Sequence, residues 1–163
     1  MELSTRRLVL RGFTPDDWED IHELAVDWSK APGPEFDKWP TTEEAAKGLT
    51  EHFSNTPKFF AMCLQKNKKV VGLLALNGCE TEGRFDLGHV IHSEYQDNDI
   101  DREALQAMVD HIFRTDDPVS IVTHNEPTHQ EQLAPLVALG FTGAGESEQG
   151  TLVLASAEWE RAR

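Results

Sequence analysis

The run Arg84-Phe85-Asp86-Leu87-Gly88-His89-Val90-Ile91-His92, the polar stretch Ser93 to Arg102 and the periodic segment ending near Phe113 together decide the fold. Phe85, Leu87 and Ile91 fall on one face of a strand over 84–92, with Asp86, Gly88, Val90 and His92 on the other. Leu105, Met108, Val109, Ile112 and Phe113 then recur at the spacing of one buried helical stripe. A strand that enters a helix through a short loop turns backbone N–H groups and the positive end of the helix dipole outward. Such a junction is suited to an anion.

The surrounding chain sets bounds on what the junction serves. At 163 residues with 39% hydrophobic content, the sequence is long enough for one sizeable core and predicts a single domain over 1–163. Fifteen Lys and Arg against 29 Asp and Glu give a formal net charge of −14. That field repels polyanions, which argues against nucleic acid and anionic membranes as partners, and attracts amines and basic peptides. Residues 1–13 carry no apolar run of signal-peptide length and no stretch approaches a membrane span, so a cytoplasmic protein is expected. Cys63 and Cys79 have neither CxxC nor metal-ligand spacing and read as reduced packing thiols. Nothing in the pattern fixes an oligomeric state.

Outward from the central stretch, Leu8 and Leu10 alternate with Arg7, Val9 and Arg11 in a first strand near residues 3–12. Thr14 caps a helix that begins at Pro15 and runs to about Trp28. The prolines of 29–40 mark an irregular loop holding Phe36 and Trp39. A capping box at Thr41 to Glu44 starts a second helix to about Asn55, with Ala45, Leu49 and Phe53 inward. Strands near 58–65 and 69–77 form a hairpin, and Gly78 to Gly83 turns the chain into the central strand. Beyond the helix ending near Phe113, Val119 to Thr123 reads as a strand, and the intervening helix makes the two strands parallel neighbours by a right-handed crossover. A helix interrupted by Pro135 exits at Leu139-Gly140-Phe141, and a closing hairpin ends on Gly150 to Leu154 with a tail from Ala157 to Arg163.

The opening Leu3 to Phe13, the strand Asp86 to Ile91 with its loop, and the exit Leu139-Gly140-Phe141 resemble the GCN5-related N-acetyltransferases, especially the branch that acetylates protein N-termini and small amines. The resemblance implies an α/β (α+β) fold with a mixed, twisted sheet of about seven strands flanked by four helices. It implies acetyl transfer from acetyl-CoA to an amine of a small molecule or a protein N-terminus. Asp86 and His89 are then the candidate bases, and Val90, Ile91, Gln96, Asn98 and Arg102 the positions that would meet the cofactor. The family's two loop glycines fall on Asp97 and Asp99, and its Asn and Ser that serve the cofactor and the leaving thiolate fall on His129 and Gln132.

Those four departures define a second function class, a catalytically degenerate domain of the same fold acting as a binding or interaction module. A carboxylate about 5 Å from a phosphate costs roughly 3 kcal/mol at an effective dielectric near 20, less when exposed. Asp99 or Asp101 can instead cap the helix and take the place of the anion. A calcium loop at Asp97-x-Asp99-x-Asp101 fails at Arg102 and Met108, where glycine and a bidentate Glu are needed. His89 and His92 point to opposite strand faces, so no metal site is expected.

Overall fold

The structure, a computed structural model, describes residues 1–79 and 83–163. Its frame is an eight-stranded sheet in the order β1-β2-β3-β4-β5-β6-β8-β7. The expected first strand is a small antiparallel hairpin, β1 (Leu3–Ser4) and β2 (Leu8–Arg11), because the chain turns back where Thr5 donates to the carbonyl of Leu8. Helix α1 (Trp18–Trp28) follows a 3-10 turn at Pro15–Asp17, in which Asp17 accepts from the Thr14 amide and pairs with Arg11. Helix α2 (Glu43–Asn55) is capped one residue later than the box predicts: Thr42 accepts from the Ala45 amide, and the buried stripe becomes Ala46, Thr50 and Phe53.

The hairpin β3 (Phe59–Leu64) and β4 (Val70–Cys79) leads to β5 (Arg84–Ile91), while residues 80–82 of the expected turn lie outside the described residues. Every second residue of β5 is buried, and α3 (Ile100–Thr115) lays its apolar stripe across this face. Leu105, Met108 and Ile112 are fully buried, each worth about 1.5–3 kcal/mol relative to exposure. The crossover returns in β6 (Ser120–His124), which pairs parallel to β5 as expected. Helix α4 (Gln130–Ala138) holds Pro135 within its nine residues, and Gly140 closes it at a φ of 103°.

The closing hairpin is β7 (Thr142–Gly143) with β8 (Thr151–Ala155), β8 also pairing with β6. The expected tail is a fifth helix, α5 (Ser156–Arg161), held because Trp159 stacks on Phe113 at 4.8 Å and donates to Asp110 at 2.7 Å. Among the described residues eight strands and five α-helices therefore stand where about seven and four are expected; the additions are two-residue β1, split from the expected first strand, and this short helix. No helix of the described residues is long and apolar enough to cross a membrane.

Candidate functional site

β5 and β6 pair only from Arg84 opposite Ser120 to Asp86 opposite Val122. Beyond that point β5 runs on to Ile91, while β6 ends at His124 and the chain leaves for α4. A cleft of about 500 Å³ opens along the edge this separation exposes. Because it follows a strand edge, residues from both faces of β5 reach it: Gly88 and Val90 from one, His89 from the other.

The outer wall comes from α1 and the loop after it. Trp28, Phe36, Trp39 and Asp37 line it, and Phe36 stands exposed at the mouth. Lys38 places its ammonium 4.4 Å from the Trp28 ring centre and donates to the carbonyls of Ala31 at 2.8 Å and Pro32 at 3.2 Å. Lys38 thus fills the Trp28 face and these two carbonyls with its own ammonium.

On the β6 side, His124 lies on the same strand face as Val122, the residue opposite Asp86. Its Nε2 is 3.5 Å from an Asp86 oxygen, and its Nδ1 is 3.3 Å from the Thr151 hydroxyl. Asn77 donates to the other Asp86 oxygen at 3.2 Å. Asp86 and His89, the two candidate bases expected from the sequence, lie on opposite faces, and Asp86 contacts His124.

His89, His129 and Gln132 form the floor and are all more than nine-tenths buried. Gln132 donates from Nε2 to the carbonyl of His89 at 2.8 Å, taking a backbone acceptor on the edge that β6 has left. His89 Nε2, His129 Nδ1 and Gln132 Oε1 have no hydrogen-bond partner among the described residues. Burial pushes the His89 imidazole down to about 4, with a hydrogen bond at the Gln132 backbone opposing and His129 adding to the fall. Burial likewise lowers His129. Both rings are therefore neutral near pH 7, and a base as weak as His89 is poorly suited to take a proton from an amine. His89, one of the two expected bases, thus lies in the floor as a buried ring.

The floor continues past Asp27, Ile91 and Gln96 into a groove between α3 and α4 lined by Gln96, Asp99, Asp101, Arg102 and Glu131. Asp99 sits at the helix start with φ 59°, the left-handed conformation that a glycine would supply without strain. Its side chain makes no cap; Asp101 instead accepts from the Arg102 amide at 2.8 Å. Asp27 takes the Ser93 amide at 2.9 Å and its hydroxyl at 2.6 Å. Donors at both ends of the loop are thus held by the chain's own carboxylates. Val90, Ile91, Gln96 and Arg102 fall along this one track. Asn98 does not: it faces the β1–β2 side, where its carbonyl accepts from Arg7 at 2.9 Å.

Tested against acetyl-CoA, the site divides. The exposed β5 edge and the orphaned polar atoms of the floor fit an amide-bearing thioester arm, whereas the acidic groove, whose Ser93 and Arg102 amides already donate to carboxylates, does not fit a diphosphate. Among the described residues no group of three His, Cys, Asp or Glu is arranged to hold a metal.

Asp101 supplies a pH test. Burial, with the nearby Asp99 charge, pushes its carboxyl up to about 6, against hydrogen bonds from the Arg102 and Asp101 amides. Between the ordinary value of 3.8 and 6 the folded protein then binds more protons than the unfolded chain, so this group's stabilisation falls as pH rises through that window. His89 has the opposite sign, costing stability as pH falls from 6.5 towards 4. Asp101→Asn should add about 1–2 kcal/mol at pH 7, add almost nothing at pH 4, and steepen the acid loss that His89 causes. Urea unfolding across pH 4–7 reads this; an equal gain at both ends would show that ionisation is not the cause.

A sequence model described as "Acetyltransferase (GNAT) domain" matches residues 7–142. The Bacillus subtilis (strain 168) protein named "Uncharacterized N-acetyltransferase YnaD" is 22% identical over 148 residues, covering 89% of this chain and 85% of that one. Among solved structures, a GNAT-family acetyltransferase from Bacillus anthracis superposes with a TM-score of 0.83 at 21% identity, covering 97% of this chain and 100% of that one. A putative ribosomal-protein-serine acetyltransferase from Vibrio cholerae gives 0.77 at 19%, covering 95% and 97%. The ribosomal-protein-S5-alanine acetyltransferase from Vibrio fischeri gives 0.72 at 17%, covering 98% of each chain.

Proposed function

The chain belongs to the GNAT acetyltransferase family, and on that premise we propose that it transfers an acetyl group from a CoA-type thioester to a primary amine in the cleft between β5 and β6. The observation that carries this reading is the separation of the two strands after Asp86 and Val122, which leaves the β5 edge beside a cleft with polar atoms at its floor.

In this reading the amine enters past Phe36 and Trp39, where aromatic faces and the carboxylates of Asp37 and Glu126 favour a cation. His124 takes the proton that nitrogen must lose, and Asp86, 3.5 Å from its Nε2, holds the ring in place. Gln132 and His129 line the thioester arm's path, the former giving up or sharing the His89 carbonyl when the arm pairs with the strand. His89 stays neutral and serves as a hydrogen-bonding group of the floor. The acidic surface supports small amines or basic peptides as acceptors. Two unpaired cysteines support a reducing, cytoplasmic setting.

The test is thiol release, followed colorimetrically, with thioester and a panel of polyamines, lysine-containing peptides and peptides with free N-termini. Amine-dependent release, with the acetylated amine found by mass spectrometry, is the expected result. Thioester binding without any transfer would leave the fold serving as a binding module and end the enzyme reading.

A further inference from the structure

The two halves of the site ask for different things of a ligand, and a nucleotide thioester answers only one of them. At the floor, His89 Nε2, His129 Nδ1 and Gln132 Oε1 are unpartnered among the described residues, and each belongs to a side chain more than nine-tenths buried. Such atoms carry a desolvation cost until a ligand meets them. Two neutral imidazoles offer either an N–H or a lone pair, and an amide oxygen demands a donor. A chain bearing secondary amides supplies both N–H and C=O, and the β5 edge between Leu87 and Ile91 offers it a strand to lie against.

Further along, the track narrows onto carboxylates. Asp27, Glu131, Asp99 and Asp101 border it, with only Lys30 and Arg102 of opposite sign among the described residues. Arg102 lies 3.4 Å from Asp99, and the Ser93 and Arg102 amides already donate to Asp27 and Asp101. A diphosphate would meet charge of its own sign at the place where it needs donors.

Resting on the reading of thioester-to-amine transfer, we propose that the acyl donor of this protein is an uncharged pantetheine-type thioester, without the nucleotide diphosphate. The chemistry balances with no further reactant. The acyl carbon exchanges its bond to sulfur for one to nitrogen, the amine's proton passes to His124, and the thiolate leaves and is protonated. Nothing is oxidised or reduced. The same arm carried on a protein presents the same amides, and a monophosphate distinguishes that source from the free compound.

The full chain is titrated by calorimetry at low salt with acetyl-pantetheine, acetyl-4′-phosphopantetheine and acetyl-CoA, and each is then assayed for amine-dependent thiol release. Affinity should fall in that order, with acetyl-pantetheine at least about tenfold tighter than acetyl-CoA and the gap narrowing as salt rises. Phosphopantetheine close to acetyl-pantetheine would point to a carrier-borne arm. Asp99→Gly, where the backbone already favours glycine, should raise acetyl-CoA affinity and leave acetyl-pantetheine unchanged. The inference is overturned if wild-type protein binds acetyl-CoA as tightly as acetyl-pantetheine, or more tightly; turnover with that donor would still uphold the proposed function. Binding of neither thioester would overturn both.

Discussion

His124→Gln should lower kcat/KM for acetyl transfer by about a hundredfold or more, with thioester affinity unchanged. Glutamine keeps the length and polarity of the side chain but cannot hold a proton taken from an amine. The ring stands at the cleft, and its Nε2 is 3.5 Å from Asp86, whose other oxygen is fixed by Asn77. Asp86→Asn should act in the same direction and less strongly, since it removes the partner rather than the acceptor of the proton. Because the two act as a unit, the double variant should lose little beyond His124→Gln alone. Steady-state kinetics for the four proteins settles the matter. Additive losses, or full activity in His124→Gln, would assign proton removal to another group.

How legible this site is in the sequence follows from which contacts are local. The β5–α3 unit, its parallel partner and the capped helices can be read directly, because period-two and helical spacing and cap chemistry act within a few residues of chain. Asp86 stands out for the same reason, as an acid on a strand already identified. Its partner does not: Asp86 and His124 meet through the β5–β6 register, and no spacing in the chain encodes it.

The floor shows the same limit from the other side. His129 and Gln132 are visible as departures from the family pattern, yet the sequence is silent on Gln132 reaching across to the His89 carbonyl. Asn98 was expected on the cofactor track because it lies in the right loop. A 3-10 turn over Ser93–Asn98 and the pull of Arg7 carry it to the opposite flank. Asp99 is the most instructive position. Loss of glycine there suggests loss of the left-handed conformation, but Asp is among the residues that tolerate it, and the backbone keeps φ at 59°. At this position the backbone takes the shape a glycine would, and what Asp99 adds to it is charge.

The largest stability loss is expected from Gly150→Ala, about 3–5 kcal/mol and a fall in Tm of roughly 10 °C. Gly150 has a φ of 83°, and a Cβ built there would lie 2.0 Å from the Asn125 carbonyl oxygen and 3.2 Å from Pro127 Cδ. The oxygen belongs to backbone and cannot rotate away. Asn125 is also tied to Gly150 by its amide and its side chain, both at 2.9 Å, and holds Thr123 at 3.0 Å. Relief therefore requires β8 to move away from the segment that joins β6 to α4. That segment leads into His129 and Gln132, so a variant that still folds should also lose thioester affinity. Gly143→Ala is the control: nothing lies within 4 Å of its added Cβ, and a change of less than about 1 kcal/mol is expected. Thermal unfolding of both variants separates a local collision from a general cost of adding methyl groups to this edge. Equal losses would show that the approach of Gly150 to Asn125 does not hold the β6–α4 connection in place.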